Sequence, residues 1–188
     1  TYFAALVDFG LGTLLTREVA RDGVQTERWF RASLVLRARL VAVSVPTMVL
    51  VAGIYRLTGT ISDVTLATAA LLAAGLIPSA VNQAYASIYG GWERMDRRGL
   101  VVAGTSGLTV GLGLVFLGAG LGVPGIALAG LISSAVTFIA LARPIGFELL
   151  RSGWRAGSEE LRGLTRAALP LMLNSLLATA FVQLDILV

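Results

Sequence analysis

Long uncharged apolar runs alternate with arginine clusters along this chain, and the arginines fall almost wholly in every second connection. A bilayer core of about 30 Å is crossed by about 20 mostly apolar helical residues, and six windows approach that length. They cover about 1–16, 40–55, 64–89, 100–121, 126–142 and 167–188. The second begins as early as Ser33 if Arg37 and Arg39 snorkel toward the head groups. The runs are continuous rather than alternating, so helices are expected and strands are not. The expected fold is an all-α, polytopic transmembrane helix bundle.

The connection after the first window holds Arg17, Arg21, Arg28, Arg31, Arg37 and Arg39. The one after the third holds Arg94, Arg97 and Arg98, and the one after the fifth holds Arg143, Arg151, Arg155, Arg162 and Arg166. The alternate connections contain Arg56 alone, and the turn Gly122-Val123-Pro124-Gly125 contains none. Positive residues collect on the inner face of a membrane, so the arginine-rich loops are expected in the cytoplasm. Within them, 25–39 and 147–166 mix Trp29, Phe30, Trp154 and Leu161 with arginines, as ordinary loops or as interfacial helices lying on an anionic leaflet.

Composition agrees with burial in lipid, with 56% hydrophobic and 14% charged residues in 188. The charge of +4 flanks apolar runs instead of forming a basic polar surface, so no nucleic acid partner is expected. Cysteine and histidine are both absent, which excludes disulfides, thiolate chemistry, common zinc sites and imidazole catalysis. No metal, no cofactor and no enzymatic activity are expected. The chain begins and stops within apolar sequence, and the expectation is a fragment of a longer protein.

Ionisable groups inside a bilayer are costly and mark functional positions. Asp8 lies nine residues before Arg17, about 13 Å from the boundary at 1.5 Å per residue. It is expected to face a cavity or a partner helix. Asn174, Ala178, Phe181 and Asp185 share one face of the last window, with Asp185 close to the outer boundary. Pro78, Asn82, Tyr85 and Tyr89 line one face of the third, with Gln83 adjacent, either to bind a polar ligand or to stitch helices together. The fourth window is glycine-rich, with Gly107 and Gly111 in a G-x-x-x-G spacing that suits close packing.

The opening ALVDFGLGTLLTREVARD resembles the second span of lipid-linked oligosaccharide flippases, the Wzx-type polysaccharide biosynthesis membrane proteins of the MATE-like superfamily. GGWERMDRRGL is similar to the family loop between two hairpins. ALPLMLNSLLATAFVQLDILV resembles the seventh helix, with its early Pro and later Asp. The resemblance implies helices two to seven of about twelve to fourteen. Residues 1–142 would then form most of the N-terminal lobe, 143–166 a cytoplasmic inter-lobe linker, and 167–188 the first helix of the C-terminal lobe.

It further implies translocation of undecaprenyl-diphosphate-linked oligosaccharide repeat units across the inner (cytoplasmic) membrane by alternating access, serving polysaccharide or lipopolysaccharide synthesis. Arg17 and Arg21 would contact diphosphate, since guanidinium matches phosphate geometry. Asp8, Asn82, Tyr85, Asn174 and Asp185 would line the cavity, with Asp8 and Asp185 available to a coupling proton or cation. Implied partners are membrane lipids and the glycan polymerase and glycosyltransferases of the same pathway. A cation-coupled multidrug or small-solute antiporter of the same superfamily remains an alternative. So does a membrane-embedded polymerase or glycosyltransferase, although the outer connections are too short to hold a catalytic domain.

Overall fold

A computed structural model describes residues 10–59, 62–145 and 158–185. Six α-helices make up the described part: α1 (Leu11–Arg21), α2 (Thr26–Leu57), α3 (Asp63–Gly91), α4 (Met95–Gly118), α5 (Gly122–Ile145) and α6 (Ser158–Asp185). A single 3-10 turn, Gly23–Gln25, joins α1 to α2, and no strand occurs among the described residues.

Helices α2 to α5 are each long and apolar enough to cross a membrane, with mean hydropathies of 1.9 to 2.1. Their outward surfaces are apolar as well: Leu114, Val110 and Val43 are 67%, 63% and 67% exposed. Patches of that kind are rare on soluble monomers and ordinary against lipid. The chain is a helical membrane bundle.

Three boundaries differ from the sequence expectation. Residues 26–39 are neither a loop nor a separate interfacial helix; they are the first turns of α2, which runs 32 residues without a break. Nothing in that stretch opposes a helix, since alanine, leucine, arginine and glutamate are all good formers. The charges that suggested a loop divide by face. Phe30, Ser33, Leu34, Arg37, Val41 and Ser44 are buried at three- and four-residue spacing, while Arg28 and Arg39 are exposed. Arg37 therefore does not snorkel. It is 1% exposed, among the largest fully buried side chains.

The second difference is the α4–α5 hairpin. Gly122 to Gly125 form the first turn of α5, and the connection is Ala119 to Leu121. Proline is harmless in a first helical turn, where its missing N–H would have no partner. The reversal needs left-handed backbone at Gly120 (φ 80°) and Gly122 (φ 57°), which glycine adopts without steric penalty. The chain is tight here, since a Cβ on Gly125 would lie 2.9 Å from the Phe116 Cβ. Helix α6 also starts earlier than expected, at Ser158, so the linker region contributes its first turns.

Helix α3 is the hub, packed against α1, α2 and α5, while α4 packs chiefly on α5 and α6 rests on α1 and α2. Helices α3 and α5 run parallel, with Asn82 bonded to Ser134 and Tyr89 to Leu141, the same offset of 52 residues in both pairs. Against them α2 is antiparallel, its Phe30 ring tilted at 59° against Tyr85 while Val41 clusters with Ala80. Helix α1 crosses the end of α3 so closely that a Cβ on Gly91 would fall 2.7 Å from the Val19 Cβ.

The result gathers Arg17, Arg21, Arg28, Arg31, Arg94, Arg97 and Arg98 at one end of the bundle. At the other end Arg56 meets Asp63 at 2.6 Å across the α2–α3 turn. Both side chains are exposed there, so solvent screens the pair. Ser62 caps α3 there, its hydroxyl accepting from the Thr65 N–H at 3.3 Å.

Candidate functional site

At the arginine-rich end, α1, α3 and the start of α4 enclose a cleft of about 580 Å³. Helix α1 supplies Thr13, Thr16 and Arg17, α3 supplies Gln83 and Ser87, and α4 supplies Arg98. Among the described residues no carboxylate lines it. Arg17 pairs with its neighbour Glu18, whose Oε1 lies 3.4 Å from Nη2. Arg17 remains 70% exposed and able to reach an occupant.

One hydrogen bond crosses between α1 and α3 beside the cleft. The Thr16 hydroxyl lies 2.9 Å from its own Gly12 carbonyl and 3.2 Å from the Ser87 carbonyl on α3, and can donate to either. Ser87 in turn donates its hydroxyl to the Gln83 carbonyl at 2.8 Å. These short side chains let α1 approach α3, and the hydroxyl groups stay polar where the helices cross.

Gln83 connects the cleft to the buried Arg37. The Arg37 Nη1 donates to Gln83 Oε1 at 3.4 Å, and its Nε donates to the Ser33 hydroxyl at 3.3 Å. A guanidinium has five donors and no acceptor, so it must face the carboxamide oxygen. That orientation leaves the Gln83 Nε2 as a donor at the cleft wall. Arg17, Arg98 and Gln83 then present donors to one volume, an arrangement suited to an oxyanion.

The residues expected to line a cavity are distributed differently. Arg17 lies in the cleft; Arg21 ends α1, exposed and outside the lining. Asn82 turns toward α5, where its Nδ2 donates to the Ser134 carbonyl at 2.9 Å and lies 3.0 Å from the Ser134 hydroxyl. Tyr85 is fully buried between Phe30 and Phe138, with ring centroids 5.0 and 6.2 Å away. Its hydroxyl has no hydrogen-bond partner among the described residues.

Tyr89 donates to the Leu141 carbonyl at 3.2 Å, so the Asn82, Tyr85 and Tyr89 face meets α5. Asn174 is exposed on α6, Asp185 ends the described part of that helix, and Asp8 lies outside the described residues. Among the described residues no three acids, histidines or cysteines come together as metal ligands.

Arg98 and Gln83 were not singled out from sequence. Arg98 reads locally as one of three topology-setting arginines, and Gln83 as a neighbour of the Asn82 stripe. Only the packing of α1 and α4 around α3 makes them one site. Compared with family models, with characterised proteins and with solved structures, the chain matches none.

Proposed function

We propose that this chain is most of one lobe of a flippase that carries diphosphate-linked lipid oligosaccharides across the cytoplasmic membrane, with its arginine-rich end in the cytoplasm. The observation that carries the reading is the cleft lined by Arg17, Arg98 and Gln83, with no carboxylate among the described residues that line it. A diphosphate linkage offers several charged oxygens, and two guanidinium groups with a carboxamide donor match it at the end that the positive-inside rule assigns to the cytoplasm, where a flippase loads its lipid. The sequence resemblance to Wzx-type proteins points the same way. A cationic cleft repels the cationic substrates that a multidrug antiporter would take.

The test uses the full-length protein in cells whose own copy can be depleted. Depletion should leave lipid-linked repeat units on the inner leaflet, and wild-type protein should restore their outward exposure. Arg17→Gln combined with Arg98→Gln should restore little of it at equal abundance. Normal exposure of repeat units in depleted cells would sink the proposal.

A further inference from the structure

The face of α3 that carries Gln83 continues away from the cleft as Thr68, Leu72, Gly75, Ser79, Gln83 and Ala86, at spacings of four, three, four, four and three. Those spacings keep all six on one side of a helix. Gln83 and Ala86 line the cationic cleft. One turn further, Thr68 to Ser79 line a second cavity of about 500 Å³ between α3 and α5, walled on α5 by Ile126 and Gly130 among others. Among the described residues its lining holds no charged group. The two cavities follow one helix face for about 27 Å at 1.5 Å per residue, cationic at the arginine-rich end and apolar beyond it.

We infer that this track is a binding site for one amphiphile, whose anionic diphosphate sits in the cleft while the first part of its hydrocarbon chain lies in the α3–α5 groove. The inference rests on the proposed function and adds to it a seat for the tail. Both charge and direction fit. A lipid in the leaflet at the arginine-rich end has its head at that surface and its chain pointing toward mid-membrane, the direction in which the face turns from donors to hydrocarbon.

The groove is also shaped by absence of side chains. Cβ atoms built on Gly75 or Gly130 would meet nothing within 4 Å. Open space beside two glycines in adjoining helices leaves room for a chain, where larger residues would fill it. A chain seated there exchanges lipid contacts for contacts with α3 and α5, and its selectivity comes from the tethered head.

The experiment places the full chain in lipid nanodiscs with a fifteen-carbon prenyl diphosphate that carries a diazirine at the chain end. After photolysis, label should concentrate on 68–79 and 123–131, and excess unlabelled prenyl diphosphate should remove it. Gly75→Leu with Gly130→Leu should reduce this labelling at least fivefold while inorganic pyrophosphate binds as before. Leucine is the better helix former at both sites, and an unchanged melting temperature checks the fold.

Label spread equally over α2, α4 and the groove, or unchanged in the filled variant, overturns the tail site. Arg17→Gln with Arg98→Gln separates the two ideas. If that variant binds pyrophosphate as the wild type does, the cleft reading falls whatever the groove labelling shows. If pyrophosphate binding is lost while the groove never labels, the cleft stands and the tail site alone is wrong.

Discussion

The Arg37 Nη1 on α2 donates to the Gln83 Oε1 on α3 at 3.4 Å, joining residues 46 positions apart and tying a buried guanidinium to the wall of the cleft. A cation removed from both water and head groups is stable only where its donors are satisfied. The contact therefore serves two ends. It accommodates Arg37 in the packed interior, and it holds the Gln83 carboxamide with one particular edge toward the cleft.

Arg37→Ala should lower unfolding free energy by about 2–3 kcal/mol, the usual range for losing hydrogen bonds made by a charged group. Gln83→Leu should cost less, since Arg37 keeps its bond to Ser33. Because the two residues share a bond, the double variant should be more stable than the sum of the single losses implies. Chemical unfolding followed by tryptophan fluorescence measures all three, and strict additivity would show that the contact contributes nothing.

Tyr85→Phe should leave stability unchanged or raise it by about 1 kcal/mol. The Tyr85 hydroxyl is buried with no hydrogen-bond partner among the described residues, and a buried polar group without one costs about 1–3 kcal/mol. The ring contacts to Phe30 and Phe138 survive the change. A fall in melting temperature would mean that the hydroxyl has a partner, and a fall in transport at unchanged stability would make it a ligand contact.

Glycines should divide by location. Gly91→Ala would put a Cβ 2.6 Å from the Val19 Cγ1 and 3.0 Å from the Thr16 carbonyl oxygen, and should cost about 1–3 kcal/mol through overpacking. Gly107→Ala meets open space and should be neutral or stabilising, since alanine is favoured over glycine within a helix by about 1 kcal/mol. The melting temperature should fall for Gly91→Ala and hold or rise for Gly107→Ala. Equal behaviour would mean that the α1–α3 crossing is looser than it stands here.

Orientation is open to direct measurement because the chain has no cysteine of its own. Leu57→Cys and Met95→Cys place single thiols on exposed positions at opposite ends of the bundle, 89% and 61% exposed. An impermeant maleimide added to intact cells should label the first and not the second. Reversed labelling would put the arginine-rich end outside.

The features legible in the sequence are those written in local pattern. The apolar runs of α2 to α5, the sharp α4–α5 reversal and the alternation of arginines all follow from residues close together in the chain. Arg37 was not legible, because a charge at the edge of an apolar run reads as a boundary. Its burial depends on a face, Phe30 to Ser44, that is defined only once α3 is present. The cleft was half legible: Arg17 stood out at the end of α1, whereas Arg98 and Gln83 joined it through packing across three helices. Asn82 and Tyr85 were found as one stripe, but spacing says only that residues share a face, and the partner helix decides what that face meets.

Helix α4 has no buried residue, although it is 24 residues long and leans chiefly on α5. During synthesis α4 leaves the ribosome before α5 exists, so for the time taken to make the next helix it has no close companion. A span that must wait alone in lipid has to be acceptable to lipid on every side, since helices insert first and pack afterwards. Beyond its first turn α4 is uncharged and mostly apolar, and its Thr105 and Thr109 hydroxyls are satisfied by its own backbone carbonyls, so the helix can stand in lipid until α5 arrives.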